Sequence, residues 1–218
     1  MKLLDLKDRE VAFFPPALAQ MLVRSKVAQA EVLGEFMVPG TFVAYSLPDL
    51  ARQLGQSQTW KDGRVITKRD RAHLGLGVSL WPSLEVLYSL GGLQGLPYPL
   101  VIQPFLPEAR DLRVAVLGDY AEAYERLNPH SFRKNLFQGG SSRPVPLTPE
   151  LLAFSRQIMA RGKFPYAILD LLASDTGELY LSEISIKGGL TGARLSQAEF
   201  RERVKNLEEV FQRQWESS

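Results

Sequence analysis

Two apolar segments, Tyr166 to Ser174 and Leu179 to Ile186, each carry one acid inside a hydrophobic run, and they flank the turn Asp175-Thr176-Gly177-Glu178. The pattern is that of a β-hairpin. If Thr176 and Gly177 are the two central residues, counting outward sets Asp170 directly opposite Glu183 on one face. Their β-carbons would then lie about 4.5–5.5 Å apart. Two like charges that close, among Ile168, Leu169, Leu171 and Leu172, need a counter-charge. A bound cation supplies one, and oxygen ligands on rigid strands suit magnesium, which bridges carboxylates to nucleotide phosphates. An arginine beside one acid, or a carboxylate turned to solvent, would serve as well, and a three-residue loop would shift the register.

The bulk of the sequence narrows the classes. With 218 residues, 45% of them apolar, the chain is long enough to bury a core. Its 26 basic and 24 acidic residues leave a net charge of only +2, without the basic surplus that nucleic-acid binding usually needs. The absence of cysteine excludes thiol catalysis, cysteine-ligated zinc and disulfides. The charged start, Met1 to Glu10, does not resemble a signal peptide, and no apolar run reaches the ~18 residues of a membrane span. A cytoplasmic protein is expected.

Along the chain, Ala17 to Phe36 has helical spacing and reads as one helix or two short ones, ended by Val38-Pro39-Gly40. Thr41 to Ser46 is a strand candidate and Pro48 to Leu54 a helix. Arg64 to Lys68 and Gly77 to Trp81 read as strands around a polar, glycine-containing loop. A helix near Ser83 to Ser89 leads to Gly91-Gly92 and Gly95, a flexible joint, and then to a buried strand, Leu100 to Leu106. These features predict an N-terminal helical segment (1–40), a first lobe (41–98) and a second lobe (99–218). In the second lobe, Leu112 to Leu117 and Ala121 to Arg126 form an antiparallel pair around Gly118-Asp119, followed by a polar loop, Asn128 to Pro146. Thr148 caps a helix that has Pro149 at its first position and runs to about Arg161, and Ser196 to Trp215 is a charged amphipathic helix.

Several basic residues are candidates for anion contacts. Lys68 ends a strand and is followed by RDRAHLGLG, where Gly75 and Gly77 allow the backbone close to a phosphate, although such loops are often only turns. Lys26 lies in a mostly apolar helix, where a snorkelling surface lysine is the common alternative. Arg113 and Arg126 occupy equivalent ends of a strand pair, so both can point into one site or onto a solvated face. His73 and His130 lack partners at ligand spacing, which argues against zinc. Ser131, Ser141 and Ser142 lack a nucleophile-elbow context. Trp81, Tyr98 and Phe105 read as core residues or as walls of a base pocket.

Taken in order, these segments resemble the ATP-grasp superfamily, in particular its RimK-type branch. Lys26 with Val38-Pro39-Gly40-Thr41, the VITKRDRAHLGLGV segment, the IQPFL strand, Asp111-Leu112-Arg113, Glu125-Arg126 and the loop Phe132 to Gly140 carry the likeness, as do Leu147-Thr148-Pro149-Glu150, Asp170 and Glu183. It covers about residues 15 to 195. It implies an α/β (α+β) fold with two lobes, antiparallel sheets flanked by helices and ATP between them. It also implies a carboxylate-amine ligase that forms an amide through an acyl phosphate, adding glutamate or another amino acid to a small-molecule or peptide carboxylate.

The same resemblance distributes the roles. Lys26, Lys68, Gly75, Gly77, Gln103, Phe105 and Glu108 would hold ATP; Asp170, Glu183 and Ser185 would hold Mg2+ or Mn2+; Arg126, Asn135 and Arg113 would be catalytic. A lid, roughly Phe42 to Leu90, would close over the nucleotide about the glycine joint. The sequence departs from the pattern in two places: Glu183-Ile184-Ser185 replaces Glu-x-Asn, and Gly188-Gly189-Leu190 replaces Pro-Gly-Leu, with Lys187 nearby. Members usually begin with a further α/β domain, whose place a homo-oligomer, a partner subunit or nothing at all would take here. The other readings are a nucleotide-binding scaffold with a degenerate site and a phosphoryl transferase on the same fold.

Overall fold

The computed structural model describes residues 2–57, 60, 63–72, 77–132, 139–187 and 189–217, the side chains of residues 2, 4, 56 and 57 excepted. Three short helices come first: α1 (Lys2–Asp8), α2 (Ala17–Leu22) and α3 (Lys26–Leu33), with a 3-10 turn at Gly34–Phe36. Of the two readings of this segment, the two short helices hold, because Ser25 is extended and its hydroxyl accepts from Ala28 N, which starts a new helix.

The first sheet contains β1 (Phe42–Ala44), β2 (Val65–Arg69), β3 (Val78–Trp81) and β4 (Leu100–Pro104), in the order β1-β4-β2-β3. Two helices, α4 (Leu47–Ser57) and α5 (Leu84–Gln94), cover one face and form a core with Ala44, Val65, Leu100 and Ile102. Alternation places Ile66, Lys68, Val101 and Gln103 on the opposite face, where Ile66 pairs with Gln103 and Lys68 with Val101. Two expectations are corrected. The boundary near residue 98 precedes β4, yet β4 pairs with β1 and β2, so the chain leaves the first sheet after Pro104. Gly91 and Gly92 are not a joint but part of α5: a Cβ on Gly91 would approach Leu96 Cδ1 to 2.7 Å, so glycine is there for close packing.

The second sheet contains β5 (Arg110–Leu117), β6 (Tyr120–Leu127), β7 (Ser141–Val145), β8 (Tyr166–Ala173) and β9 (Leu179–Ser185), in the order β7-β6-β5-β8-β9. Its apolar residues, Leu112, Val114, Val116, Leu169, Leu171 and Ile184 among them, share a core with Ala19, Leu22, Leu33, Ile158 and Met159. The last two belong to α6 (Pro149–Gly162), which Thr148 caps as expected. The last helix, α7 (Gln197–Glu216), begins with a reciprocal capping box between Ser196 and Glu199. The predicted polar loop conceals β7, whose Pro144 is tolerated because the strand lies at the sheet edge. No helix among the described residues is long and apolar enough to cross a membrane.

Candidate active site

The site is built around β8 and β9. Asp170 lies opposite Glu183, the pairing expected from the sequence, but the route to it differs. Ser174 N bonds Glu178 O across a three-residue loop in which Gly177 takes φ +88°, and Ala173 therefore pairs with Leu179, one residue out of the expected register. An irregularity between Asp170 and Leu171 then leaves Ser182 as an extra residue in β9, and the two shifts cancel at Asp170.

Asp170 is held by two arginines. Arg113 forms a fork, Nε to Oδ1 at 2.6 Å and Nη2 to Oδ2 at 2.9 Å, and Arg126 Nη2 lies 3.1 Å from Oδ2. The hairpin around Gly118-Asp119 puts both guanidinium groups on this face, since Arg126 pairs with Asp111 and Arg113 with Tyr124. Arg126 also donates from Nε to Asp111 Oδ1 at 2.7 Å. Burial opposes the Asp170 charge, but Arg126 and Arg113 outweigh it and hold its carboxyl well below the usual range. At Asp111 burial wins over Arg126, and its carboxyl is pushed up. The arginine partner left open by the sequence is therefore present at Asp170.

Two lysines reach the same place from different elements. Lys26, first residue of α3, donates to Glu183 Oε1 at 3.0 Å and to Ala72 O at 2.8 Å. Lys68, from β2 of the first sheet, donates to Ser182 O at 3.0 Å and to Ser182 Oγ at 3.2 Å. Burial pushes the Lys68 ammonium down to about 8, against the opposing pull of Glu183. The loop after β2 is tied to α3 as well, because Asp70 Oδ1 accepts from Ser25 Oγ at 2.8 Å and from Val27 N at 3.2 Å. Gly77 closes that loop through its carbonyl to Arg69 N, and a Cβ there would collide with Ala72 Cβ, so its glycine is explained locally.

The remaining candidates are distributed unevenly. Gln103 lies on the Lys68 face, 1% exposed, and its Oε1 has no hydrogen-bond partner among the described residues. Phe105 follows β4, with the Arg64 guanidinium 4.7 Å above its ring and Phe132 6.4 Å away edge-on. Glu108 is exposed in the turn beyond it. Ser185 pairs with Ile168, hence on the Asp170 side of the strand, and its Oγ accepts from Lys187 N at 3.0 Å. Gly75 and Asn135 lie outside the described residues, as do His73, Gly188 and residues 133–138 of the loop before β7. Sequence reasoning assigned no role to Ser182, Asp70 or Gln29; only Gln29 left a trace, as a polar residue three places after Lys26 in an apolar helix.

The donor set fits magnesium by its chemistry. All candidate ligands are hard oxygens, and each carboxylate offers about four lone-pair sites, so Asp170 can accept from arginine and still meet a cation. No group of three or more acidic, histidine or cysteine residues suited to a metal occurs among the described residues, so phosphate oxygens and water would complete the shell. The unpartnered Gln103 acceptor fits an amino-bearing base.

The residues from 21 to 203 match the RimK-like ATP-grasp domain, and the chain belongs to that family. Among its relatives is a probable alpha-L-glutamate ligase 2 of Shewanella frigidimarina, 30% identical over 151 residues, covering 67% of this chain and 48% of that protein. A probable alpha-L-glutamate ligase of Trichodesmium erythraeum is 28% identical over 184 residues, covering 81% of this chain and 60% of the relative. The chain thus spans about half the length of the curated relatives it matches. In fold it resembles the D-alanine–D-alanine ligase of Bacillus anthracis, with TM-score 0.68, 14% identity, and coverage of 91% of this chain and 71% of the other. It likewise resembles a RiPP-associated ATP-grasp ligase of Chryseobacterium gregarium solved with ADP and a leader and core peptide, with TM-score 0.61, 18% identity, and coverage of 91% and 62%.

Proposed function

We propose that this protein is an ATP-dependent carboxylate-amine ligase that works in the cytoplasm and adds glutamate or another amino acid to a small-molecule or peptide carboxylate. The observation that carries the reading is the meeting of Lys68 from one sheet with Ser182 of the other, beside Glu183 paired with Lys26 and Asp170 paired with Arg113 and Arg126. Lys26, Lys68, Arg113 and Arg126 gather there with Asp111, Asp170 and Glu183, four cations and three carboxylates suited to a triphosphate and a metal.

In the proposed reaction a carboxylate oxygen attacks the γ-phosphorus, the bond to the bridging oxygen breaks and ADP leaves with its electrons. The amine then attacks the acyl carbon, inorganic phosphate departs, and the nitrogen gives up a proton to solvent or phosphate. Phosphoryl transfer of this kind depends on alignment and charge neutralisation more than on covalent help from the protein. Lys26 and Lys68 hold phosphate oxygens once they leave Ala72 O and Ser182, and the Gln103 acceptor receives the adenine amino group. Asp170 and Glu183, with Ser185, would hold a magnesium ion, which would supply charge neutralisation to the phosphates. Arg126, fixed by Asp111, faces the transferring group, and Arg113 orients the acyl phosphate. Phe105 walls the base, while Glu108, Gly75, Gly77 and Asn135 keep the roles the family resemblance gives them.

Substrate screening tests this reading. Magnesium-dependent ADP release stimulated by a carboxylate together with an amino acid is expected, with phosphate absent from the product. Phosphate retained on the product would mark a phosphoryl transferase instead, and tight ATP binding with no release under any pair would mark a scaffold.

A further inference from the structure

We propose that Gln29 is a positioning residue that clamps the free edge of β9 to α3 and so holds Glu183 against Lys26; this rests on the ligase reading of the same site. β9 is an edge strand, and the outward backbone groups of such a strand are unpaired unless something covers them. Gln29 covers them at Ile184. Its Nε2 donates to Ile184 O at 3.0 Å and to Leu22 O at 3.0 Å, and its Oε1 accepts from Ile184 N at 3.0 Å. One side-chain amide thereby acts as a short extra strand, with both its donors used. The residue is 2% exposed in a helix whose neighbours include Val27, Ala28 and Ala30, so no solvent contact accounts for its polarity.

Ile184 lies between Glu183 and Ser185, two of the three candidate metal ligands, and Lys26 and Gln29 fall at i and i+3 on one stripe of α3. Three consecutive residues of β9 are each gripped from outside the strand: Ser182 by Lys68, Glu183 by Lys26 and Ile184 by Gln29. The two lysine grips are the ones that ATP must take over, because the same ammonium groups are the phosphate contacts. The Gln29 grip involves no group that a phosphate or metal uses, and it keeps β9 in register with α3 when the lysines turn to nucleotide. A buried amide that only filled space would not need a donor and its acceptor aligned on the backbone of one residue 155 positions away, with the other donor on Leu22 O.

The test compares wild type with Gln29→Leu, which keeps the volume and removes all three bonds, and with Gln29→Met, whose straight chain suits a helix if the leucine variant folds poorly. Outer-shell residues of metal sites typically change affinity about 10–100-fold. The expected result is at least tenfold more magnesium for half-maximal ATP binding by calorimetry, while binding at saturating magnesium stays close to wild type. A merely structural role would lower the melting temperature and the folded fraction without moving the magnesium midpoint, and an unmoved midpoint in a folded variant overturns the proposal. Hydrogen exchange reads the clamp without catalysis or metal: the Ile184 amide should be protected in wild type, despite its edge position, and exposed in the variants. Fast exchange at Ile184 in wild type also overturns it. If wild type shows no magnesium-dependent ATP binding, the ligase reading fails, and the clamp stands or falls on the exchange result alone.

Discussion

The two faces of β8 carry different kinds of work. Leu169 and Leu171 are fully buried against the helices, while Asp170 between them turns to a face bearing Asp111, Arg113, Arg126 and Glu183. On the apolar side each contact contributes through area and packing, and removal leaves a cavity. On the charged side the groups balance one another, so their net contribution to stability is small, and on the proposed ligase reading their arrangement serves chemistry. Substitutions on the two faces should therefore separate into losses of stability and losses of turnover.

The largest separation is expected at Arg126. Arg126→Lys keeps a positive charge for Asp111 and Asp170 but loses the planar fork, and turnover with a supporting carboxylate and amine should fall about 10²–10³-fold in steady-state assays. Its unfolding midpoint in urea should move less than that of Leu169→Ala. That second variant should lose about 2–5 kcal/mol of stability, yet retain its KM for ATP at a temperature where it is folded. Equal damage to turnover and stability in both variants would erase the distinction between the faces.

Lys68 sharpens the comparison through pH. Its ammonium titrates near 8 in the folded chain. Raising the pH from 7 to 9 removes most of that charge and should weaken ATP binding about tenfold, and Lys68→Gln should flatten the slope. Stability responds with the opposite sign: the unfolded lysine keeps its proton to about 10.4, so between 8 and that value the unfolded chain binds more protons and this residue's contribution to folding grows with pH. The smallest effect is expected at Ser185. Its hydroxyl already accepts from Lys187 N, and Ser185→Asn, which offers an amide oxygen, should lower the magnesium midpoint a few-fold without changing the unfolding curve.

The apolar face was the more legible of the two in sequence. Strand-like segments on either side of turn residues located β5, β6, β8 and β9, and Thr148 marked a helix start through its local hydrogen bond. The charged pair was legible for a less secure reason. The expected two-residue turn is a three-residue loop, and Asp170 meets Glu183 only because Ser182 adds a residue to β9 and restores the register. Neither change has a local signature, since a Gly after Thr suits both loops. Gln29 showed only as a polar residue in an apolar helix because its partner is distant in sequence, and β7 was missed because Ser-Ser-Arg-Pro-Val lacks the alternation of a half-buried strand. The place of β4 in the first sheet follows from pairing with β1 and β2, which propensity does not encode.

Calorimetric titration of ATP into wild type and into the double variant Asp170→Asn, Glu183→Gln, each with and without magnesium, tests the central claim most directly. Binding should require magnesium in wild type and lose that requirement, with most of the affinity, in the double variant. Wild-type binding indifferent to magnesium, or a double variant that binds ATP with wild-type affinity and metal dependence, would contradict it.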